Sequence, residues 1–209
     1  MKWSLSLTRW LIGIAFLHLP LPGLVHGGAP SDEMRATIEN VLTTLQDPNL
    51  QGPANQRERR NKLKKLIYPK FDFTEMGKRS LGIHWQRRTP EEQNRFIELF
   101  TELIETSYID AIESYNGEKV IVKSDKQDQQ FAEVNSQLVS KKGDSFAVNY
   151  KLHRSEEDWK VYDVVIENVS LVNNYRSQFN RVISKTSFEN LMGRMKEKSF
   201  AAPGRHRKA

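Results

Sequence analysis

The chain has 209 residues, and removal of a leader of 27 leaves 182, enough for one domain around a single core and too few for a large multidomain enzyme. At 38% hydrophobic and 28% charged, with a net charge of +6, the composition is mildly basic and globular rather than disordered. Cysteine is absent, which removes disulfides, thiolate metal sites, Cys nucleophiles and a lipidated N-terminal Cys together.

Met1 to Arg9 carries two positive charges and no acid, and Trp10 to Leu19 is an apolar run interrupted by His18. This is the pattern of an export signal. Pro20, Pro22 and Gly23 break the run short of the ~20 residues that span a bilayer, so it reads as a cleaved signal rather than an anchor. The expected organisation is a signal at 1–27, a folded domain at 28–198 and a disordered basic tail at 199–209. Such a protein works outside the cytoplasm, without an ATP pool.

Ser31 and Asp32 offer an N-cap to a first helix with apolar residues at Met34, Ile38, Val41, Leu42 and Leu45, stopped by Pro48. A basic helix follows over 56–67, with Arg57, Arg59, Arg60, Lys62, Lys64 and Lys65 around a narrow stripe of Leu63, Leu66 and Ile67. Its charge suits an acidic partner or an anionic membrane surface as well as plain solvation, and export argues against nucleic acid. Phe71, Phe73, Met76 and Leu81 then crowd a short helical turn closed by Gly82.

Thr89-Pro90-Glu91-Glu92 combines a capping box with Pro at the first helical position, and an apolar face then runs from Phe96 through Phe100, Leu103, Tyr108 and Ile112 to Tyr115 before Asn116-Gly117. From Lys119 the period changes to two, which predicts four antiparallel strands built on Val120 and Val122, on Ala132 to Leu138, on Phe146 to Leu152 and on Trp159 to Val165. The segment Ser124 to Gln129 reads as the first connection. The last strand is apolar on alternate residues of both sets, Trp159 and Val161 as well as Tyr162, Val164 and Ile166, so it is expected to be central and covered twice, with Val148 and Val164 on different faces. Helical spacing returns through Leu171, Tyr175, Phe179 and Val182, then Phe188, Leu191, Met192 and Met195. The expected fold is α+β: a four-stranded curved antiparallel sheet covered by helices from both chain ends, an arrangement that encloses an interior readily.

His84, His153 and His206 are scattered, and no phosphate loop, nucleophile elbow or zinc-helix motif occurs, so no metal site, nucleotide hydrolysis or acyl transfer is expected. Asp163, on an apolar strand, is the best candidate for a general base in a small-cavity exported enzyme, although a carboxylate that caps a loop or pairs with an Arg is the simpler reading. The aromatic and Met set that includes Phe71, Phe96 and Tyr175 is equally compatible with plain core.

Two stretches carry a family resemblance. Tyr68-Pro69-Lys70-Phe71-Asp72-Phe73 with Leu81-Gly82-Ile83-His84-Trp85 and Thr89-Pro90-Glu91-Glu92-Gln93 is one, and Trp159 to Phe179 is the other. They resemble the periplasmic toluene-tolerance family, the phospholipid-binding component of the Mla (maintenance of lipid asymmetry) pathway and an auxiliary of an ABC transporter. The similarity runs from about Met34 to Lys198, and departs at Asn168 and near Thr186-Ser187, where the family usually has Gly.

The resemblance implies a non-enzymatic periplasmic carrier without a cofactor, its cargo a phospholipid or, as an alternative, a hopanoid or other non-phospholipid. The partners implied are an inner-membrane ABC transporter with its membrane-anchored substrate-binding component and an outer-membrane lipoprotein complex. Phe71, Phe73, Met76, Phe96, Phe100, Leu103, Tyr108, Val148, Tyr150, Val161, Tyr162, Val164, Leu171 and Tyr175 are the residues expected around acyl chains. Arg176 is expected either at the mouth, against a phosphate, or in an ordinary surface ion pair.

Overall fold

The computed structural model describes residues 29–156 and 158–200; the expected signal and the tail beyond Phe200 lie outside the described residues. Among the described residues, four α-helices precede the sheet: α1 (Pro30–Gln46), α2 (Gln56–Ile67), α3 (Phe73–Leu81) and α4 (Pro90–Glu113). Five strands follow, β1 (Lys119–Asp128), β2 (Phe131–Val139), β3 (Ser145–Ser155), β4 (Asp158–Ile166) and β5 (Val169–Ser170), and the chain closes with α5 (Leu171–Lys185) and α6 (Phe188–Lys196). The sheet is an antiparallel meander in the order β1-β2-β3-β4-β5, one short strand more than expected.

Local signals explain most boundaries. Thr89 and Glu92 form the expected capping box at α4, and Asp72, Ser170 and Ser187 accept backbone N–H groups at the starts of α3, α5 and α6. The cap expected at Ser31 or Asp32 is not used. The first helix starts earlier on Pro30, preset for the first turn, and Asp32 and Glu33 complement the helix dipole.

Two β-bulges account for the larger departures. The pairing of β1 with β2 shifts between Val122 and Ser124, so Lys123 is an extra residue and the strand continues through the segment expected to be a loop. In β4 the shift falls between Val161, opposite Leu152, and Asp163, opposite Lys151. Side chains in phase before the bulge therefore return to the same face after it: Trp159, Val161, Val164 and Ile166 all look toward the helices. The double apolar pattern is thus the mark of a bulge, not of a strand covered twice. It also puts Val148, opposite Ile166, on the same face as Val164, contrary to expectation. The bulge residue Tyr162 lies on the far face with Phe131 and His153, and the Arg79 guanidinium stacks on its ring at 4.2 Å.

β4 is next to last, and its outer edge is protected by β5 at Val165 and Ile166 and by Phe71, which bridges Val161. The β4–β5 turn places Glu167 and Asn168 at φ 48° and 65°, the left-handed pair of a type I′ turn, a conformation that suits the Gly which the resemblance leads one to expect at 168. Asn168→Gly is expected to raise stability by up to ~1 kcal/mol, because the strain relieved exceeds the flexibility added. A lowered midpoint in urea would refute that. The second departure has no such meaning, since Thr186 has φ −136°.

The interior divides in two. The larger cluster is built by α3 to α6, the sheet and Met34 of α1, with Phe96, Phe100, Tyr175 and Phe179 fully buried and in edge-to-face, tilted or stacked contact. A smaller one joins α1, α2 and α4 through Leu45, Leu63 and Ile109. Beyond Lys198 the chain does not loosen at once, because Phe200 packs edge-on against Phe179 and under Arg194.

Candidate functional site

An apolar pocket of about 490 Å³ opens between the two clusters. One face of α1 supplies Ile38, Val41, Leu42 and Leu45, residues three and four apart that a single helical stripe must present together. The C-terminal half of α4 supplies Ile104, Tyr108, Ala111 and Ile112, with Tyr115 just beyond it. The turn after α2 and the start of α3 bring Phe71, Phe73 and Met76. The floor is the helix-facing side of the sheet, with Val120, Leu138, Tyr150, Val164 and Ile166 in register, and Leu171 beside them.

Polar groups are few, and three of them meet at one place. Lys64 Nζ lies 2.6 Å from Glu105 Oε1, and the Tyr68 hydroxyl donates to Glu105 Oε2. Lys64 also sits 5.7 Å from the centre of the Tyr68 ring. Burial raises the Tyr68 phenol well above its ordinary range, and the acceptor Glu105 adds to that. Burial alone would raise Glu105 too, but hydrogen bonds from Lys64 and Tyr68 and the charge of Lys64 outweigh it, so the carboxyl is held below the usual value and stays ionised. Deep in the floor, burial pushes Tyr150 up to about 12, against the opposing effect of a hydrogen bond with Ser136, so it is a neutral phenol.

The lowered Glu105 value has a pH consequence. A carboxyl depressed in the folded state stabilises it above the unfolded pKa, near 4.5, and that contribution disappears as pH falls through the folded value. Urea unfolding of wild type and Glu105→Gln is therefore expected to differ by up to ~1 kcal/mol at pH 7, the modest size of a partly exposed pair. The gap should shrink as the pH falls below 4.5, and one that is undiminished in acid would sink the argument.

Of the residues expected around a ligand, the pocket gathers Phe71, Phe73, Met76, Tyr108, Tyr150, Val164 and Leu171. It does not gather the rest. Phe96, Phe100, Leu103 and Tyr175 are committed to the filled helical cluster, and Val161 is sealed in the same cluster against Phe71. Val148 shares the sheet face but is not part of the pocket wall, and Tyr162 is on the opposite face. The Arg176 guanidinium donates through Nε to the Arg79 carbonyl at 2.7 Å, closing the C-terminal end of α3, so neither of its expected roles is the one found.

Asp163 is 5% exposed and outside the pocket; it accepts from the Ser170 hydroxyl at 2.6 Å and the Val172 N–H at 3.0 Å. Those bonds fasten the start of α5, and they occupy the carboxylate that the enzyme reading needed as a base. The basic helix is largely answered from within: Arg60 meets Asp110 and Glu113 at 2.6 and 2.8 Å, Lys64 meets Glu105, and Arg59 donates to the Leu50 carbonyl. Its cations dock α2 onto α4.

Sequence reasoning missed the α1 wall, Lys64, Tyr68, Glu105 and the Ala111–Tyr115 end of α4 as parts of one site. The signal was present in α4, whose apolar stripe continues beyond the residues that the C-terminal helices cover. Among the described residues no helix is long and apolar enough to cross a membrane.

This architecture is that of a small α+β domain built around an apolar pocket, and comparison with known proteins gives it a family. The family model described as MlaC protein matches residues 35–197, so the chain belongs to the MlaC family. It is 25% identical over 174 residues to the intermembrane phospholipid transport system binding protein MlaC of Haemophilus influenzae, covering 80% of this chain and 77% of that one. It is 26% identical to a toluene tolerance protein of Pseudomonas putida, over 72% of this chain and 71% of that one. Among solved structures, the phospholipid-binding protein of Ralstonia solanacearum, determined in complex with a phospholipid, superposes with a TM-score of 0.74 at 27% identity, over 82% of this chain and 97% of that one.

Proposed function

We propose that this protein is a periplasmic phospholipid carrier. The observation that supports it most directly is the apolar pocket of about 490 Å³ in a fold shared with a phospholipid-loaded relative. Each methylene costs about 0.8 kcal/mol in water, so acyl chains cross an aqueous gap only if an apolar interior replaces the bilayer. The task needs a dry wall and a way in, and it needs no catalytic group. In this reading the chains lie between α1, α4 and the sheet, and the headgroup stays near the Lys64–Tyr68–Glu105 group at the wetter end.

The protein takes its cargo from, and gives it to, membrane complexes on the two sides of the periplasm: an inner-membrane ABC transporter with its anchored substrate-binding component, and an outer-membrane lipoprotein complex. Its place there requires export, which the expected signal at 1–27 supplies. The test is mass spectrometry of an organic extract of the mature protein, expressed in a bacterium and purified without detergent. Near-stoichiometric phospholipid is expected. A hopanoid in its place would redirect the reading, and an extract at background from well-folded protein would end it.

A further inference from the structure

We propose that Lys64 and Glu105 make the pocket select a zwitterionic, amine-bearing headgroup over an anionic one. The inference rests on the phospholipid reading above and adds the headgroup class to it. Among the described residues of the pocket wall, the charged side chains are Lys64, Glu105 and Glu118, so the wall carries one cation against two anions. A headgroup that is only a phosphate finds no surplus of positive charge on that wall. A phosphate followed by an ammonium meets a partner for each end.

The pair has room to take both. Lys64 Nζ has three donors, of which Glu105 Oε1 engages one at 2.6 Å, and a carboxylate offers about four lone-pair sites, of which Lys64 and Tyr68 use two. A phosphate on Lys64 and an ammonium on Glu105 therefore complete an alternating arrangement of four charges without breaking the existing bonds. Lys64 is 36% and Glu105 25% exposed at the side chain, so the pair is reachable from solvent yet screened less than a surface pair. Two other cations of α2 are already engaged, Arg60 by Asp110 and Glu113 and Arg59 by the Leu50 carbonyl. Glu105 remains charged throughout the neutral range, since the two donors keep its pKa low. Discrimination of this kind works as much by repelling the wrong ligand as by holding the right one.

The experiment is competitive loading from mixed vesicles of phosphatidylethanolamine and phosphatidylglycerol in equal parts with identical acyl chains, so that both lipids are met on one surface. The protein is recovered and its lipid quantified by mass spectrometry. Phosphatidylethanolamine is expected to exceed phosphatidylglycerol by about five- to tenfold, the scale of one close charge interaction at a protein surface. Glu105→Gln should bring the ratio below about twofold, whereas Glu102→Gln, which removes a carboxylate from the same helix outside the pocket and paired with Lys198 rather than with α2, should keep the wild-type ratio. A ligand-side arm keeps the idea testable even if Glu105→Gln folds poorly: N-acetylated phosphatidylethanolamine, which lacks the ammonium, should lose its advantage in the wild-type protein. Full lipid occupancy at parity, or with phosphatidylglycerol in excess, overturns the headgroup assignment and leaves the carrier reading standing. No lipid from any vesicle overturns the carrier reading beneath it.

Discussion

Ala111→Trp is expected to strip the protein of most of its lipid while leaving it folded. Ala111 lies on the pocket wall in the last turn of α4 and is exposed, so an indole there has open volume to enter without displacing a packed side chain. Trp is acceptable in a helix, at a cost of a few tenths of a kcal/mol relative to Ala. Val164→Trp tests the same volume from the floor, and there a loss of lipid should come with roughly 1–3 kcal/mol of destabilisation, because Val164 is packed between Tyr150 and its neighbours on β4. Val148→Trp, on the same sheet face but outside the wall, should destabilise while retaining lipid. Extracted lipid per folded molecule is the measurement, and equal lipid in all three variants would mean that the pocket is not where the cargo sits.

The second large effect is the reverse. Phe100→Ala is expected to cost about 3–5 kcal/mol and to lower the melting temperature by roughly 6–20 °C. Phe100 is fully buried among Phe96, Tyr175 and Phe179, in ring contacts of 5.9 to 6.2 Å, and α5 and α6 cannot close over the void because their other anchors hold them in place. Lipid per folded molecule should remain near the wild-type level, since the ring is no part of the pocket wall. A stable Phe100→Ala protein that had lost its lipid would show that the helical cluster is cargo space after all.

The contrast between these variants marks what was legible in the sequence. Periodicity gave the helices and the hairpins, and Thr89-Pro90-Glu91-Glu92 fixed the start of α4 to the residue, because caps are local chemistry. The bulges at Lys123 and in β4 were not legible as such, since an inserted residue and a change of face leave the same trace in a pattern of period two. The site was half legible for a different reason. Phe71 and Phe100 are the same kind of residue at the same kind of spacing, and only tertiary packing decides that one borders a void and the other fills one. Arg176 misled because a cation beside a helix start is common to a phosphate site and to a backbone cap on a neighbouring helix, and the partner here is the Arg79 carbonyl, far away in sequence.

The division of the interior separates two requirements that most small domains must meet with the same residues. The cluster around Phe96, Phe100 and Phe179 tolerates little change, since its rings fill space against one another. Leu42, Ala111, Val120 and Leu138 border the pocket and belong to neither cluster. Substitutions at those four positions can lengthen, narrow or reshape the open space while the residues that make the chain fold stay as they are, so what the pocket admits can be retuned without reinventing what holds the domain together.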